Sequence, residues 1–590
     1  MKEIGRLFDA KKWEEVCKKG QKFVADPSSP LLERKQVYLW VSAAFKKQKM
    51  IDESIDILNQ AIKLFPDFGG YYHNLGNCYK QDENKSNWIA ISYYLKAQEL
   101  GLNSCNLAVS IAKAFQAVSY PGLAYNSIAN WFKVKPANEM PSSDALLILL
   151  ELGTVVLKED EANEICNWCL HHFGELASNE IGGQGAIAMY KAKLGEFQEA
   201  IDWFKKSEDT LNKMKEKLLL KTDSKNEIDS LDQAFINSGW NLACTLLRGG
   251  EMVHGWDLYN YGLQSPAAGL QRWQRALHKP YSHLDVPIWQ GEPLKNKKIL
   301  ILGEQAIGDS MMFLRLLPTI LKDTPHVTLL LPKRLVPIYR RTYPKLTVVM
   351  DEEPGNLEEA TNFDYQIPCG SIPNLKLKDW MLNEWEQRRL VADPALVKAL
   401  RSKYLESGQP KKSLIGISWS GGGKASRIRN KSLTAEQFTE VFEAFPNCKF
   451  ISLQYGKVKN TVSSWQHRGY DVIYDETIDA VKNVDTWLAQ VEACDLVISV
   501  ANTTIHGAGG VGKPTFCLQS RNSDWRWIKG CTQSYWYESV VTATQARDGG
   551  WKAAILQSKE WAENQKKGYP SKKQKIEIIK SCMNTSKATN

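Results

Sequence analysis

From Lys35 to Phe68 the chain has the 34-residue length and residue pattern of a helix–turn–helix repeat. A unit of this kind buries its apolar face only against further copies of itself, so the pattern dictates a stacked array. Tyr38, Val41, Ser42 and Phe45 line one face of its first helix, Ser54, Leu58 and Ala61 line the second, and Pro66 closes it. Small residues stand where two helices cross closely, and larger apolar ones recur at helical spacing towards the neighbour. The next unit keeps Tyr72, Leu75, Gly76 and Tyr79, then Ala90, Tyr94 and Ala97, with about two extra residues near Glu83, Asn84 and Lys85. Two looser helix pairs follow, one with Ala186, Ala188, Gly195, Ala200 and Phe204, the other with Trp240, Leu242, Ala243, Gly250 and Trp256. The charged stretch Ser207 to Ser230 reads as a long helix or a loop. The expected architecture is a right-handed α-solenoid with a concave surface; a plain helical bundle is the alternative.

Near Pro287-Ile-Trp-Gln-Gly291 the period changes. Short apolar runs at Ile299–Leu302, His326–Leu331 and Leu346–Met350 alternate with helical segments. A second series starts at Ser413: strand LIGISWS, a helix from Thr434, strands KFISLQY and DVIY, helix VDTWLAQVEAC, strand LVISV, a helix from Thr503, and strand PTFCLQ. β-Branched runs bounded by Gly and Asp and separated by helices predict parallel sheets covered on both faces. Two series in tandem predict two Rossmann-like lobes, with a ligand cleft at the carboxyl ends of their strands. A length of 590 residues has room for about three or four such folding units.

Composition removes several other classes. Apolar and charged fractions of 43% and 24% are those of a globular chain, and a net charge of +9 over this length is too mild to imply nucleic acid. The Lys-rich stretch from Lys566 to Asn590 reads as a solvated helix or frayed end. The strongest apolar run, Ala145 to Leu157, carries Glu151 and is too short to span a bilayer. The start MKEIGRLFDAKKW has no apolar export core, and the 12 Cys are scattered, so a cytoplasmic protein with reduced thiols is expected. Cys166, Cys169, His171 and His172 share one predicted helix and cannot converge tetrahedrally, so packed thiols are expected rather than zinc.

Four turns at strand ends carry chemistry. In Gly303-Glu-Gln-Ala-Ile-Gly-Asp309, Asp309 either caps the following helix or serves as a general base towards a hydroxyl. In Trp419-Ser420-Gly421-Gly422-Gly423-Lys424, followed by Arg427, Arg429 and Lys431, glycines and cations suit a phosphate; a flexible loop is the alternative. In Ser452–Lys457, either Gln454 or Lys457 could meet a base or ribose. Ser499–Gly507 opens a helix with Asn502, Thr503, Thr504 and His506, a natural anion site in which His506 either donates to a diphosphate or merely packs. Gly507–Lys513 has Walker spacing, but Pro514 replaces the hydroxyl residue and the segment runs from helix into strand, so it is not an ATPase motif.

PIWQGEPLKNKKILILGEQAIGD, GISWSGG with the later RNKS, FISLQYG, CDLVISV…H…GKPTF and DWRW…YWY together resemble the heptosyltransferase-like glycosyltransferases of the GT-B fold, in the subgroup with N-terminal tetratricopeptide (TPR) repeats. The arrangement is also similar to O-GlcNAc transferase and to repeat-bearing flagellin glycosyltransferases. The resemblance implies a fold of class α + α/β, with TPR-like repeats over 1–275, an N-terminal Rossmann-like lobe over 276–400, a nucleotide-sugar-binding lobe over 401–560 and a basic tail over 561–590. It also implies inverting, metal-independent sugar transfer without a cofactor. Asp309 would then be the base, Ser420, Gly421 and Lys431 the donor-phosphate loop, Gln454 a donor-side contact, and Thr503, Thr504 and His506 the diphosphate-binding helix start. Many members carry an Asp five residues before that histidine, where this chain has Ala501. Either the donor sugar differs, Asn502 substitutes, or activity is lost.

The expected function is transfer of a sugar from a nucleotide sugar to a Ser/Thr hydroxyl of a protein held in the repeat groove. One alternative keeps the enzyme but gives it a lipid-linked or polysaccharide acceptor, with the basic tail contacting the membrane surface. The other is a non-catalytic repeat scaffold with a degenerate transferase half.

Overall fold

The computed structural model describes residues 1–81, 87–118, 120–135, 139–157, 161, 164–165, 167–169, 171, 181–220, 225–265, 275, 286–304, 306–351, 363–376, 389–405, 412–422, 428, 431–521, 523–546, 549–564 and 570–583. Glu83 to Lys85, Cys166, His172, Gln305, Gly423, Lys424, Arg427 and Arg429, all named above, lie outside them. The chain divides into two compact units, 1–190 and 191–590.

The first unit is the helical array expected from the repeat. Leu31–Lys47 pairs with Ile51–Leu64, and Gly69–Gln81 with Asn87–Glu99, at the boundaries that the spacing of apolar residues dictates. Each helix packs on the next, and the first helix of each pair also touches the first helix of the following pair: 31–47 on 69–81, 69–81 on 105–117, 105–117 on 143–156. That second set of contacts is what makes stacked repeats rather than isolated hairpins. Tyr94 lies across Gly76 so closely that a Cβ there would overlap its ring, which explains the small residue at that crossing.

The division cuts helix Ile181–Leu194, and the second unit continues with helices Phe197–Leu219, Lys225–Gly249 and Met252–Tyr259, each packed on the next. The charged stretch 207–230 therefore extends two helices, with 221–224 outside the described residues. The helices after Tyr190, grouped with the repeats by sequence up to residue 275, fall in the same unit as the sheets. The reason is an aromatic cluster: Trp256 packs edge-on against Tyr259, Phe313, Trp525 and Trp536 at 5.1, 6.2, 5.9 and 5.8 Å.

Two all-parallel sheets follow. The first contains β1 (Ile299–Leu302), β2 (Val327–Leu331), β3 (Thr347–Met350) and β4 (Tyr365–Pro368) in the order β3-β2-β1-β4. The second contains β5 (Ser413–Ser418), β6 (Cys448–Ser452), β7 (Val472–Ile473), β8 (Leu496–Val500), β9 (Thr515–Gln519) and β10 (Val540–Thr544) in the order β10-β9-β8-β5-β6-β7. All four residues of β1 are buried, as a strand covered on both faces must be. A helical repeat array followed by two Rossmann-like lobes is the α + α/β, GT-B architecture that the sequence implies. Within the tail, helix Lys572–Cys582 buries Ile576 and Ile579, and Lys575 Nζ donates to the Glu538 carbonyl at 3.2 Å. No described helix is long and apolar enough to cross a membrane.

Candidate functional site

In each sheet the chain runs outward from one central strand and then returns to its other side. The first reversal lies between β1 and β4, the second between β5 and β8. Open parallel sheets bind ligands beyond the carboxyl ends of the strands that flank such a reversal. Asp309 follows β1; Ser420 and Gly421 follow β5; Asn502 to His506 follow β8. Topology alone therefore gathers most of the expected site residues at the two switch points. The helices that open there, Ile307–Phe313 and Thr503–Val511, pack directly on one another. A Cβ on Gly308 would lie 2.9 Å from His506 Cδ2 and 3.4 Å from Thr503 Oγ1, so a glycine is what allows this approach.

Asp309 is buried in that contact and uses both carboxylate oxygens. Oδ2 accepts from the Ala306 amide at 3.2 Å, which caps the short helix. Oδ1 accepts from Arg526 Nε at 2.6 Å and stands 2.5 Å from a second guanidinium nitrogen. The capping role expected of Asp309 is thus served by Oδ2, and Oδ1 pairs with Arg526. Arg526 comes from the segment between β9 and β10 of the second lobe, 217 positions away. Its guanidinium lies over the Trp525 ring at 4.2 Å and donates to Asp524 at 3.2 Å. Burial disfavours the charged form of Arg526, but Asp309 and Asp524 outweigh it and push its pKa above the ordinary value. DWRW belongs to the motifs behind the resemblance, but nothing in the sequence alone assigns its arginine a role.

One turn earlier, Glu304 forms a fully buried ion pair with Arg275, at 2.9 and 3.0 Å. Arg275 also reaches Ser371 Oγ at 2.9 Å and Asn260 Oδ1 at 2.8 Å. Desolvation opposes its charge, yet Glu304 raises its pKa overall. This pair ties together the turns after β1 and β4 and the helical segment ending near residue 263, and Ser310 Oγ donates to the Glu304 carbonyl at 3.0 Å.

In the second lobe, side chains lash three strand ends together. Gln454 Oε1 accepts from Ser418 Oγ and from the amides of Trp419 and Ser420 at 2.8, 3.1 and 2.9 Å. Asn502 Nδ2 donates to Ser418 Oγ at 2.7 Å and to the Ser420 carbonyl at 3.0 Å. Asn502 Oδ1 accepts from the Thr504 amide at 2.9 Å and from Ser499 Oγ at 3.2 Å. An amide has two donor hydrogens and two acceptor lone pairs, and Asn502 uses all four. Asn502 and the oxygen of Gln454, expected on the donor side, hold the loops in this structure. For the same reason Asn502 cannot take over from the missing Asp at Ala501 without losing its own contacts.

Ser420 Oγ meets Ser432 Oγ at 3.2 Å, and Ser432 Oγ accepts from the Gly421 amide at 3.1 Å. A Cβ on Gly421 would sit 3.1 Å from Lys431 Nζ, so the bare glycine leaves room for an ammonium at this turn. Lys457 is exposed on the turn after β6, next to Gly456, whose φ of +95° only glycine adopts without strain. Thr504 is buried in the helix start, while Thr503 is half-buried at its mouth. His506 Nδ1 lies 3.1 Å from the Tyr537 hydroxyl, and its ring stacks on Trp527. Burial holds its pKa down at about 4, so at neutral pH it is an uncharged imidazole. The Walker-like run ends the helix, with Gly512 at φ +76° leading into β9. Among the described residues, no three or more His, Cys, Asp or Glu are grouped to hold a metal ion.

No family model matches the chain. The protein FlbA of Caulobacter vibrioides is 27% identical over 331 residues, covering 53% of this chain and 52% of FlbA. The chain thus spans about half the length of the curated relative it matches. A family 9 glycosyl transferase from Veillonella parvula aligns at 14% identity over 50% of this chain and 99% of its own, with a TM-score of 0.35. An O-GlcNAc transferase variant from Thermobaculum terrenum aligns at 11% identity over 95% of this chain and 91% of its own, with a TM-score of 0.26. With its helical repeats, paired parallel-sheet lobes and motif-bearing turns at both switch points, the chain is similar to the heptosyltransferase-like GT-B proteins that carry TPR repeats.

Proposed function

We propose that the protein is an inverting, metal-independent glycosyltransferase that moves a sugar from a nucleotide sugar to a protein hydroxyl, with a site built from both sheet-bearing lobes. The single observation that carries this reading is the packing of helix Ile307–Phe313, which carries Asp309 at the first switch point, on helix Thr503–Val511 at the second. In the transfer, the acceptor oxygen attacks the anomeric carbon. The bond from that carbon to the donor's diphosphate breaks, the diphosphate leaves with the electron pair, and Asp309 takes the hydroxyl proton. Positive potential for the leaving group would come from Lys431, the amides near Gly421 and the dipole of helix Thr503–Val511. The stacked repeats of the first unit would select the protein acceptor, most simply at Ser or Thr.

Substituting the base tests the reading. D309N should lower the transfer rate by roughly 10²- to 10⁴-fold, the usual contribution of a general base, without weakening nucleoside diphosphate binding. Turnover equal to wild type would remove Asp309 from the chemistry.

A further inference from the structure

Asp309 Oδ1 as observed is taken up by Arg526, which donates to it from Nε at 2.6 Å and holds a second guanidinium nitrogen 2.5 Å away. Yet that guanidinium stands near the helix start expected to hold the diphosphate: Asp309 and Arg526 both act electrostatically on His506, and a Cβ on Gly308 would meet His506 and Thr503. Arg526 is supported from below by the Trp525 ring and from one side by Asp524, so it can keep its stacking while its hydrogen bonds change partner. A planar guanidinium binds a phosphate in the same two-pronged way as a carboxylate.

We propose that Arg526 is a ligand of the donor's diphosphate, held by Asp309 in the donor-free chain and handed to the diphosphate when the donor binds. The exchange frees Asp309 Oδ1 only when a leaving group is in place. Base and donor are thereby coupled: the carboxylate is unmasked by the substrate that needs it, and the guanidinium then stabilises the charge that develops as the glycosidic bond breaks. This assignment rests on the glycosyltransferase reading above and adds to it a residue and an order of events.

The test is calorimetric titration of the full-length chain with ADP, UDP, GDP, CDP and inorganic pyrophosphate. Because Asp309 and the phosphate compete for one guanidinium, D309N should tighten binding of the preferred probe, by roughly 3- to 10-fold. R526A should weaken it by roughly 10- to 100-fold, the range for losing charge-assisted hydrogen bonds. In the R526A background, adding D309N should change nothing. If R526A does not fold, R526K keeps the charge but not the fork, and should bind several-fold more weakly than wild type. A purely architectural ion pair would give a different pattern, with both single variants melting earlier and D309N binding the probe no better than wild type. That pattern overturns the proposal, as does unchanged affinity in R526A. If wild type binds none of the five probes, the glycosyltransferase reading itself fails and this inference falls with it.

Discussion

Replacing Glu304 by Gln leaves the side chain's shape in place and removes the charge that neutralises Arg275. Both side chains are fully excluded from solvent, and the guanidinium makes two of its bonds to Glu304, at 2.9 and 3.0 Å. Its other partners, Ser371 Oγ, Asn260 Oδ1, the Tyr259 carbonyl and the Tyr259 ring, are all neutral. Removing one partner of a buried pair costs about 3–5 kcal/mol, because the other charge stays desolvated without compensation. Gln still offers one acceptor oxygen, so E304Q belongs near the lower end, about 3 kcal/mol, and E304A near the upper. With a urea slope of about 3 kcal/mol/M, E304Q should move the unfolding midpoint down by about 1 M, read by tryptophan fluorescence. The apolar pair R275M/E304L fills similar volume without charge and should recover most of the loss. Gly370 gives an independent check: a Cβ there would lie 2.9 Å from Arg275 Nη2 and overlap Glu304 Oε1, so G370A should destabilise the same pair. A midpoint for E304Q within about 0.2 M of wild type, or a double variant no better than E304Q, would refute this account of what anchors the turn before Asp309.

Two further predictions concern pH and the division of the chain. His506 has a folded-state pKa of about 4 against an ordinary 6.5, so the unfolded chain takes up the proton first. Its contribution to stability is therefore intact above pH 6.5 and lost as pH falls from 6.5 to 4, by up to about 3 kcal/mol, and H506Q should flatten that part of a stability-versus-pH curve. An unchanged curve in H506Q would show that the imidazole is not buried neutral. A chain begun at Lys191 should unfold cooperatively in a melting scan. A chain begun at residue 276 should not, because it lacks Trp256 and Tyr259 and exposes the faces of Phe313, Trp525 and Trp536 that they cover. Equal cooperativity in both would contradict the aromatic weld.

Much of the architecture is legible in the sequence because it follows from local periodicity. The repeat Lys35–Phe68 and strands such as Ile299–Leu302 and Leu496–Val500 fall where apolar spacing puts them. β4 and β10 escape the same reading, since YQIP and VVTAT are short and mark no long apolar run. The end of the repeat array is also obscured: Trp240 and Trp256 recur at helical spacing whether they face another repeat or a sheet lobe. At the site, the positions of Asp309, Thr503 and His506 follow from strand–turn–helix order. The partner of Asp309 does not, because Arg526 is 217 positions away and no local pattern links the two. Asn502 and Gln454 look like ligands in sequence, as polar residues at strand ends do. Only the distances reveal that their hydrogen bonds are spent on neighbouring loops.

The central claim is that base and anion site meet to transfer a sugar, and the most direct measurement is to incubate the full chain with a panel of nucleotide sugars. Donor consumption and the masses of co-purified proteins would be followed by mass spectrometry, with D309N run in parallel. The account predicts that at least one donor is consumed, that a protein gains the mass of its sugar, and that both signals disappear in D309N. Donors left intact throughout, or consumption undiminished in D309N, would contradict it.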